Sequence, residues 1–299
     1  MKVAAVIVTY NGFDYLKNCI NAVRTQTLKL DKIIVVDNYS TDGTTEWLNK
    51  QNDLYHILQP NSGSAGGQYT GIKIAFGMNF DWVWCLDQDI IPKSDALEKM
   101  LGSYEAGSEN TGFLSSLVLD KEDNISYINV PYIRNFNEIL DSILKGKNLP
   151  VISSSFGSLL VSRQAVEKIG FPNKDFFLWG DDVEYTMRII QNGFKGYLVM
   201  SSVVVHDQEE NKISPFPSMD INNKKTKYAV RNTFFVIRLR NRVLYNSRTR
   251  GILGCLNFLF VLVKGRTKYK GKFEIDYFFF AVSGLIASIF MPIVKKRYD

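Results

Sequence analysis

At 299 residues, with 45% hydrophobic and 22% charged side chains, the chain is long enough for one large domain plus an appendage, and too apolar to be disordered or fibrous. Three cysteines, Cys19, Cys85 and Cys255, show no pairing pattern; this excludes a disulfide framework and points to a reducing compartment. The net charge of +6 is uneven: from residue 222 onward there are seventeen Lys and Arg against three Asp and Glu, so an acidic body precedes a basic tail suited to an anionic partner.

In chain order, KVAAVIVTY reads as a buried strand rather than a secretory leader, because the apolar run is short and stops at polar TYNG. Residues 13–26 place Tyr15, Leu16, Ile20 and Val23 near helical spacing. KIIVVDN is a second strand, STDGTTEWLNK starts like a capped helix, and LYHILQP is a third strand. A glycine-rich loop, a helix to residue 80 and a fourth strand, WVWCLDQD, follow. Buried strands alternating with helices predict an α/β fold with a doubly wound, mostly parallel central sheet. Such sheets bind ligands at the carboxyl ends of their strands. The polar clusters Thr9-Tyr10-Asn11 and Asp37-Asn38, the segment after Pro60, and Asp87 with Asp89 all fall there. Further on, GFLSSLVL, SFGSLLVS and KGYLVMSSVVVHD are strand-like, and GDDVEYTMRIIQNG is a helix closed by Gly193.

Four features carry chemistry. Asp87 and Asp89 point the same way on an extended segment, and like charges that close repel unless a cation or donor-rich ligand lies between them. Gly63, Gly66 and Gly67 precede a helix, either as an anion-accepting loop or as a flexible one. In FFLWGDDVEY, Asp181 and Asp182 stand at a helix start; they either cap it or present one carboxylate to a cleft as a general base. His206 ends the run VVVH. It is structural, or it joins Asp87 and Asp89 in a carboxylate–imidazole set suited to Mn²⁺ or Mg²⁺. His56 has no motif around it and reads as structural.

Taken in this order, VIVTYNG, IIVVDNYSTDGT, LDQD and WGDDVEY resemble the motif set of a family-2 glycosyltransferase of GT-A fold, across residues 2–207. The resemblance implies a Rossmann-like nucleotide-sugar domain over residues 1–221, with residues 222–299 as a helical membrane-associating or oligomerising region. It implies that Thr9, Asn11 and Asp37 hold the base and ribose of a UDP- or dTDP-linked donor. Residues 61–68, among them Asn61, Gly66, Gly67 and Gln68, would lie along that donor, with Asp181 nearby. Asp87 would contact ribose and metal, and Asp89 and His206 the metal. Asp182 would take the proton of the acceptor hydroxyl in an inverting displacement, with Trp179 as a stacking wall for the acceptor sugar. NSGSAGGQ, and WGDD followed by VVVH, resemble bacterial galactofuranosyltransferases of surface polysaccharide synthesis. LDQD also resembles rhamnosyltransferases that use dTDP-rhamnose, and many galactofuranosyl enzymes carry a third acid where Gln88 stands. The acceptor implied is a glycan or a lipid-linked glycan.

The tail holds two apolar runs, GILGCLNFLFVLV and IDYFFFAVSGLIASIFMPIV, separated by KGRTKYKGK and followed by KKR. The second has the length of a bilayer span, but Asp276, Pro292 and basic residues on both flanks oppose spanning. A helical hairpin on the anionic cytoplasmic leaflet fits this pattern, with a subunit interface or a domain core as the alternatives. Nucleic acid would also answer to the charge, but not to so much apolar surface. A nucleotidyltransferase would need a basic residue within residues 61–71, which has none.

Overall fold

The computed structural model describes residues 1–104, 110–207, 220–270, 272 and 274–291. The N-terminal half alternates strand and helix: β1 (Val3–Thr9), α1 (Phe13–Arg24), β2 (Lys32–Asp37), α2 (Thr44–Leu48), β3 (Leu54–Leu58), α3 (Gly63–Gly77) and β4 (Trp82–Asp87). Then come β5 (Ile90–Pro92), α4 (Ala96–Gly102), β6 (Thr111–Leu119), α5 (Phe136–Leu144), β7 (Leu149–Val151) and β8 (Leu159–Ser162). The rest comprises α6 (Arg163–Ile169), α7 (Asp181–Gln191), β9 (Lys195–His206), α8 (Lys224–Tyr245), α9 (Arg248–Lys270) and α10 (Ile275–Phe290).

The described strands form one sheet in the order β3-β2-β1-β4-β8-β6-β9-β5, with β7 on β9. Strands β3, β2, β1 and β4 are mutually parallel, as their unbroken apolar runs predict. The other half is mixed. Strand β8 runs antiparallel to both β4 and β6, β6 is parallel to β9, and β5 and β7 are antiparallel to β9. An apolar run carries no mark of its direction, so the sequence pattern does not predict this mixed half.

Both faces of the sheet are covered. Leu16, Cys19 and Ile20 of α1 pack on Ala5, Ile7, Trp84 and Leu86. On the other face, Ile72 and Ala75 of α3 and Tyr185 of α7 pack with Val6, Ile34 and Val161. Each large apolar side chain removed from water here contributes about 1.5–3 kcal/mol. The glycine-rich stretch is not a loop, because α3 already begins at Gly63. A Cβ on Gly67 would overlap the Val8 side chain. Gly67 and Gly71 thus bring the helix down onto β1, whereas Gly63 faces the Phe177 carbonyl and Gly66 the Ser62 side chain.

Among the described residues the tail forms α8 and then α9 and α10, which carry the two apolar runs and pack on each other; α9 continues through most of the basic linker to Lys270. Phe235 and Leu239 of α8 pack on Phe176 and Met187 of the sheet-bearing part. Val230 and Phe234 meet Cys255, Leu262, Tyr277 and Ala281. Among the described residues no helix is long and apolar enough to cross a membrane. Pro292 and the KKR segment lie outside the described residues.

Candidate active site

Asp87 is the last residue of β4, and a two-residue turn separates it from β5. Between the two acids, Gln88 turns back to β1. Its Oε1 accepts hydrogen bonds from Thr9 Oγ1 (2.6 Å) and from the Tyr10 amide (2.9 Å). A Cβ at Gly12 would overlap the Gln88 amide, so glycine at this position lets the brace close. β5 then leaves to pair with β9 in a register that sets Ile90 opposite His206. This brings His206 Nε2 to 3.4 Å from Asp89 Oδ2. Burial alone would lower the His206 pKa, but Asp89, and then Asp87, hold it above its usual value.

The second pair of acids opens α7, behind Gly180 in a left-handed conformation (φ 84°). Buried Arg188 clamps this helix, donating to Glu184 and to the carbonyls of Ile169 and Phe171. Asp182 Oδ1 accepts the Val183 amide at 2.7 Å. Burial pushes the Asp182 carboxyl up to about 6 against the pull of backbone amides. Asp87 rises to about 7, through burial first and then the charges of Asp89 and Asp182, with His206 opposing. Asp181 stands well above the ordinary range, from burial and then from Asp182 and Asp87. The Asp182 charge thus acts on both Asp87 at the β4 tip and Asp181 at the α7 start, an arrangement that favours a positive or proton-bearing ligand. Asp181 is only 3% exposed, and its Oδ2 has no hydrogen-bond partner among the described residues. It is a buried acid, held above the ordinary carboxylate range, rather than an exposed one.

Asp182 lines a cavity of about 250 Å³ with Tyr127, Asn129, Tyr132, Ser153 and Ser155. Ser155 Oγ accepts from Asn129 Nδ2 at 2.9 Å. Trp179, 46% exposed, is not in this wall, where the aromatic surfaces are tyrosines. Residues 127–132 follow no strand or helix period, so sequence reading had no signal for them; the run SSS at 153–155 was the available hint.

The remaining expected residues sit around the parallel strand ends, mostly bracing loops. Asn11, at φ 48°, accepts the Thr41 amide (2.8 Å) and so ties the β1 and β2 loops together. Asp37, fully buried, accepts from the Ser40 amide (2.9 Å) and Thr45 Oγ1 (2.5 Å). Asn61 Oδ1 accepts the Gly63 amide (2.9 Å) at the start of α3. Thr9 and Gln68 are buried, Thr9 on Gln88 and Gln68 on the Leu86 carbonyl. Gly66 and Gly67 are buried within α3. Thr9, Gln68, Gly66 and Gly67 are thus enclosed side by side beneath the strand ends. His56 lies in β3, its pKa lowered by burial. Asn38, unassigned from sequence, joins β2 to α3 by donating to the Gly63 carbonyl (3.1 Å).

A second residue that sequence reading missed is Asn232 of α8. Its Nδ2 donates to the carbonyls of Phe176 (3.0 Å), Leu178 (2.8 Å) and Trp179 (2.8 Å). This loop holds Phe177 and Trp179 at φ 63° and 64°, a strained backbone kept in place by its surroundings. Asn232→Ala leaves these carbonyls unpaired and is expected to lower unfolding free energy by about 1–3 kcal/mol. Urea denaturation with hydrogen exchange would check it: faster exchange should concentrate at residues 176–182, whereas unchanged exchange there would remove Asn232 from the role.

The donor set of Asp87, Asp89 and His206 suits a hard divalent cation, and the raised Asp87 carboxyl is what a cation would relieve. Among the described residues, however, no group of three or more His, Cys, Asp or Glu is arranged to hold a metal unaided.

Similarity to known proteins bears on this geometry. The galactofuranosyltransferase GlfT1 of Mycolicibacterium smegmatis is 27% identical over 262 residues, covering 84% of this chain and 85% of that protein. The dTDP-rhamnosyl transferase RfbF of Shigella flexneri is 23% identical over 272 residues, covering 88% and 89%. The crystal structure of GalNAc-T7 with UDP, GalNAc and Mn²⁺ superposes with a TM-score of 0.60 at 15% identity, over 100% of this chain and 59% of that one, a likeness of GT-A fold. The glycosyl transferase family 2 description matches residues 4–170, more than half of the sequence, and the chain belongs to that family.

Proposed function

We propose that this glycosyltransferase moves galactofuranose from UDP-galactofuranose to a hydroxyl of a glycan or lipid-linked acceptor in bacterial surface polysaccharide synthesis, with inversion. The observation carrying this reading is the convergence of Asp87 and Asp89 at the β4 tip with Asp182, which opens onto a separate small cavity. One side suits a diphosphate donor and the other an acceptor hydroxyl. Exposed Tyr10 and Tyr39, at the ends of β1 and β2, are available to stack on the donor base. Asp87, Asp89 and His206 would hold Mn²⁺ or Mg²⁺, which when bound supplies positive charge against the diphosphate. Asp182 accepts the acceptor proton as that oxygen bonds to the anomeric carbon. The bond from that carbon to the diphosphate oxygen breaks, and the electron pair leaves with the diphosphate. Attack from the opposite face inverts the centre, with no covalent enzyme intermediate. Tyr127 and Tyr132 flank the acceptor, with Asn129 and the serines as hydrogen-bonding groups. We place the enzyme on the cytoplasmic face of an anionic membrane, where sugar nucleotide and lipid-linked acceptor meet, because of the basic, apolar tail.

The similarity to a dTDP-rhamnosyl transferase, together with LDQD, favours dTDP-rhamnose as the second reading. A thermal-shift panel of UDP-galactofuranose, UDP-glucose and dTDP-rhamnose, each with Mn²⁺, Mg²⁺ or EDTA, separates the two. A ligand at 100 times its Kd stabilises by about 2.7 kcal/mol. The expected result is a metal-dependent rise in Tm largest with UDP-galactofuranose. A rise confined to dTDP-rhamnose would transfer the assignment, and no rise with any sugar nucleotide would defeat both.

A further inference from the structure

Between α8 and α10 lies a second cavity, of about 530 Å³, remote in sequence from the acid motifs. Lys224, Lys227 and Arg231 line it from α8, at the i, i+3, i+7 spacing that places side chains on one helix face. Phe280, Gly284 and Ala287 line it from α10, and no carboxylate does so among the described residues. Both lysines are exposed and have no ion-pair partner among the described residues. Arg231 is held in place. Its Nε donates to Asn232 Oδ1 (2.9 Å) and its Nη2 to the Asp175 and Phe176 carbonyls (2.8 and 3.2 Å). Nη1 has no partner among the described residues. Asp175 and the Tyr228 ring act on the Arg231 guanidinium, so the two exposed lysines are the cations this apolar-floored hollow offers to an anion.

The neighbouring surface narrows the choice of anion. Phe279, Ile286 and Phe290 of α10 are 61%, 50% and 80% exposed. Their helical spacing sets them in the stripe beside the one that carries Phe280, Gly284 and Ala287. On α9, Leu253, Leu256 and Phe260 are also more than half exposed. A soluble phosphate has no use for such a border, whereas a lipid phosphate delivers acyl chains alongside its headgroup.

We propose that this cavity seats the phosphate of an anionic phospholipid headgroup, with the exposed α9 and α10 side chains entering the bilayer interface. The proposal rests on the membrane-surface reading above and adds a specific site to it. The test is co-sedimentation of the full chain with phosphatidylcholine vesicles containing phosphatidylglycerol, or with phosphatidylcholine alone. Arg231 is left intact because it braces the loop ahead of Asp182. The variant is Lys224→Gln with Lys227→Gln, and the control is Lys264→Gln with Lys268→Gln, which removes the same charge from α9. Each lysine at an anionic surface is worth roughly fivefold in binding. Loss of two generic surface lysines is worth about thirtyfold; the cavity pair is expected to weaken binding by more than this, and the control pair by no more than this. Equal losses would mean diffuse attraction; they would overturn the cavity while leaving the membrane reading standing. Wild-type protein that ignores anionic vesicles would overturn both, whereas the glycosyl-transfer reading is judged separately by the donor panel.

Discussion

Asp182→Asn is expected to reduce kcat by about 10²–10⁴-fold, the usual contribution of a positioned general base, while the donor-induced rise in Tm persists. Asparagine keeps the shape and can still accept the Val183 amide, but it cannot take a proton. The pH profile is the sharper readout. Burial raises the wild-type Asp182 carboxyl to about 6, so the base ionises, and kcat/KM rises, as pH increases through that value. This acidic limb should vanish in the variant. Stability should run the other way. A carboxyl raised from 3.8 to about 6 favours the folded state while protonated, and loses that advantage as pH climbs through about 6. At neutral pH the neutral asparagine is thus expected to be no less stable than the wild type. Turnover within threefold of wild type would move the base elsewhere.

Asp89→Ala is expected to abolish the metal-dependent part of donor binding. Titration calorimetry with UDP in Mn²⁺ should show at least tenfold weaker affinity, approaching the wild-type value in EDTA. The change acts twice. It removes one of the two carboxylates at the β4 tip, and it strips His206 of the partner that raises its pKa, so that the imidazole pKa drops toward its desolvated value. Asp87, relieved of a like charge, should then titrate below about 7. Unchanged affinity and unchanged EDTA sensitivity would remove Asp89 from the cation site.

These carboxylates were legible in the sequence for different reasons. Asp87 and Asp89 stand out because an apolar strand ends abruptly in acids, a local pattern with a local cost. By position alone Asp182 is one of two acids at a helix start, where capping explains either; only the resemblance of WGDDVEY singled it out. Burial separates them: Asp181 is enclosed, and Asp182 opens onto the cavity. No spacing rule distinguishes N1 from N2 of a helix in this way.

The sequence by itself determined the parallel half of the sheet, since unbroken apolar runs alternating with amphipathic helices have few other ways to bury themselves. It determined the strand-end location of the polar clusters and the basic, apolar character of the tail. Only the tertiary structure decided that the glycine run is a helix pressed on β1, because helix packing distance depends on the neighbour, not on the glycine. Only the tertiary structure turned Gln88 into a brace, brought His206 to Asp89 through the β5–β9 register, and set Asn232 under the loop that carries Trp179. Each of these is a contact between segments distant in sequence. Such contacts depend on strand direction, register and docking angle, quantities that appear only when the whole core is packed.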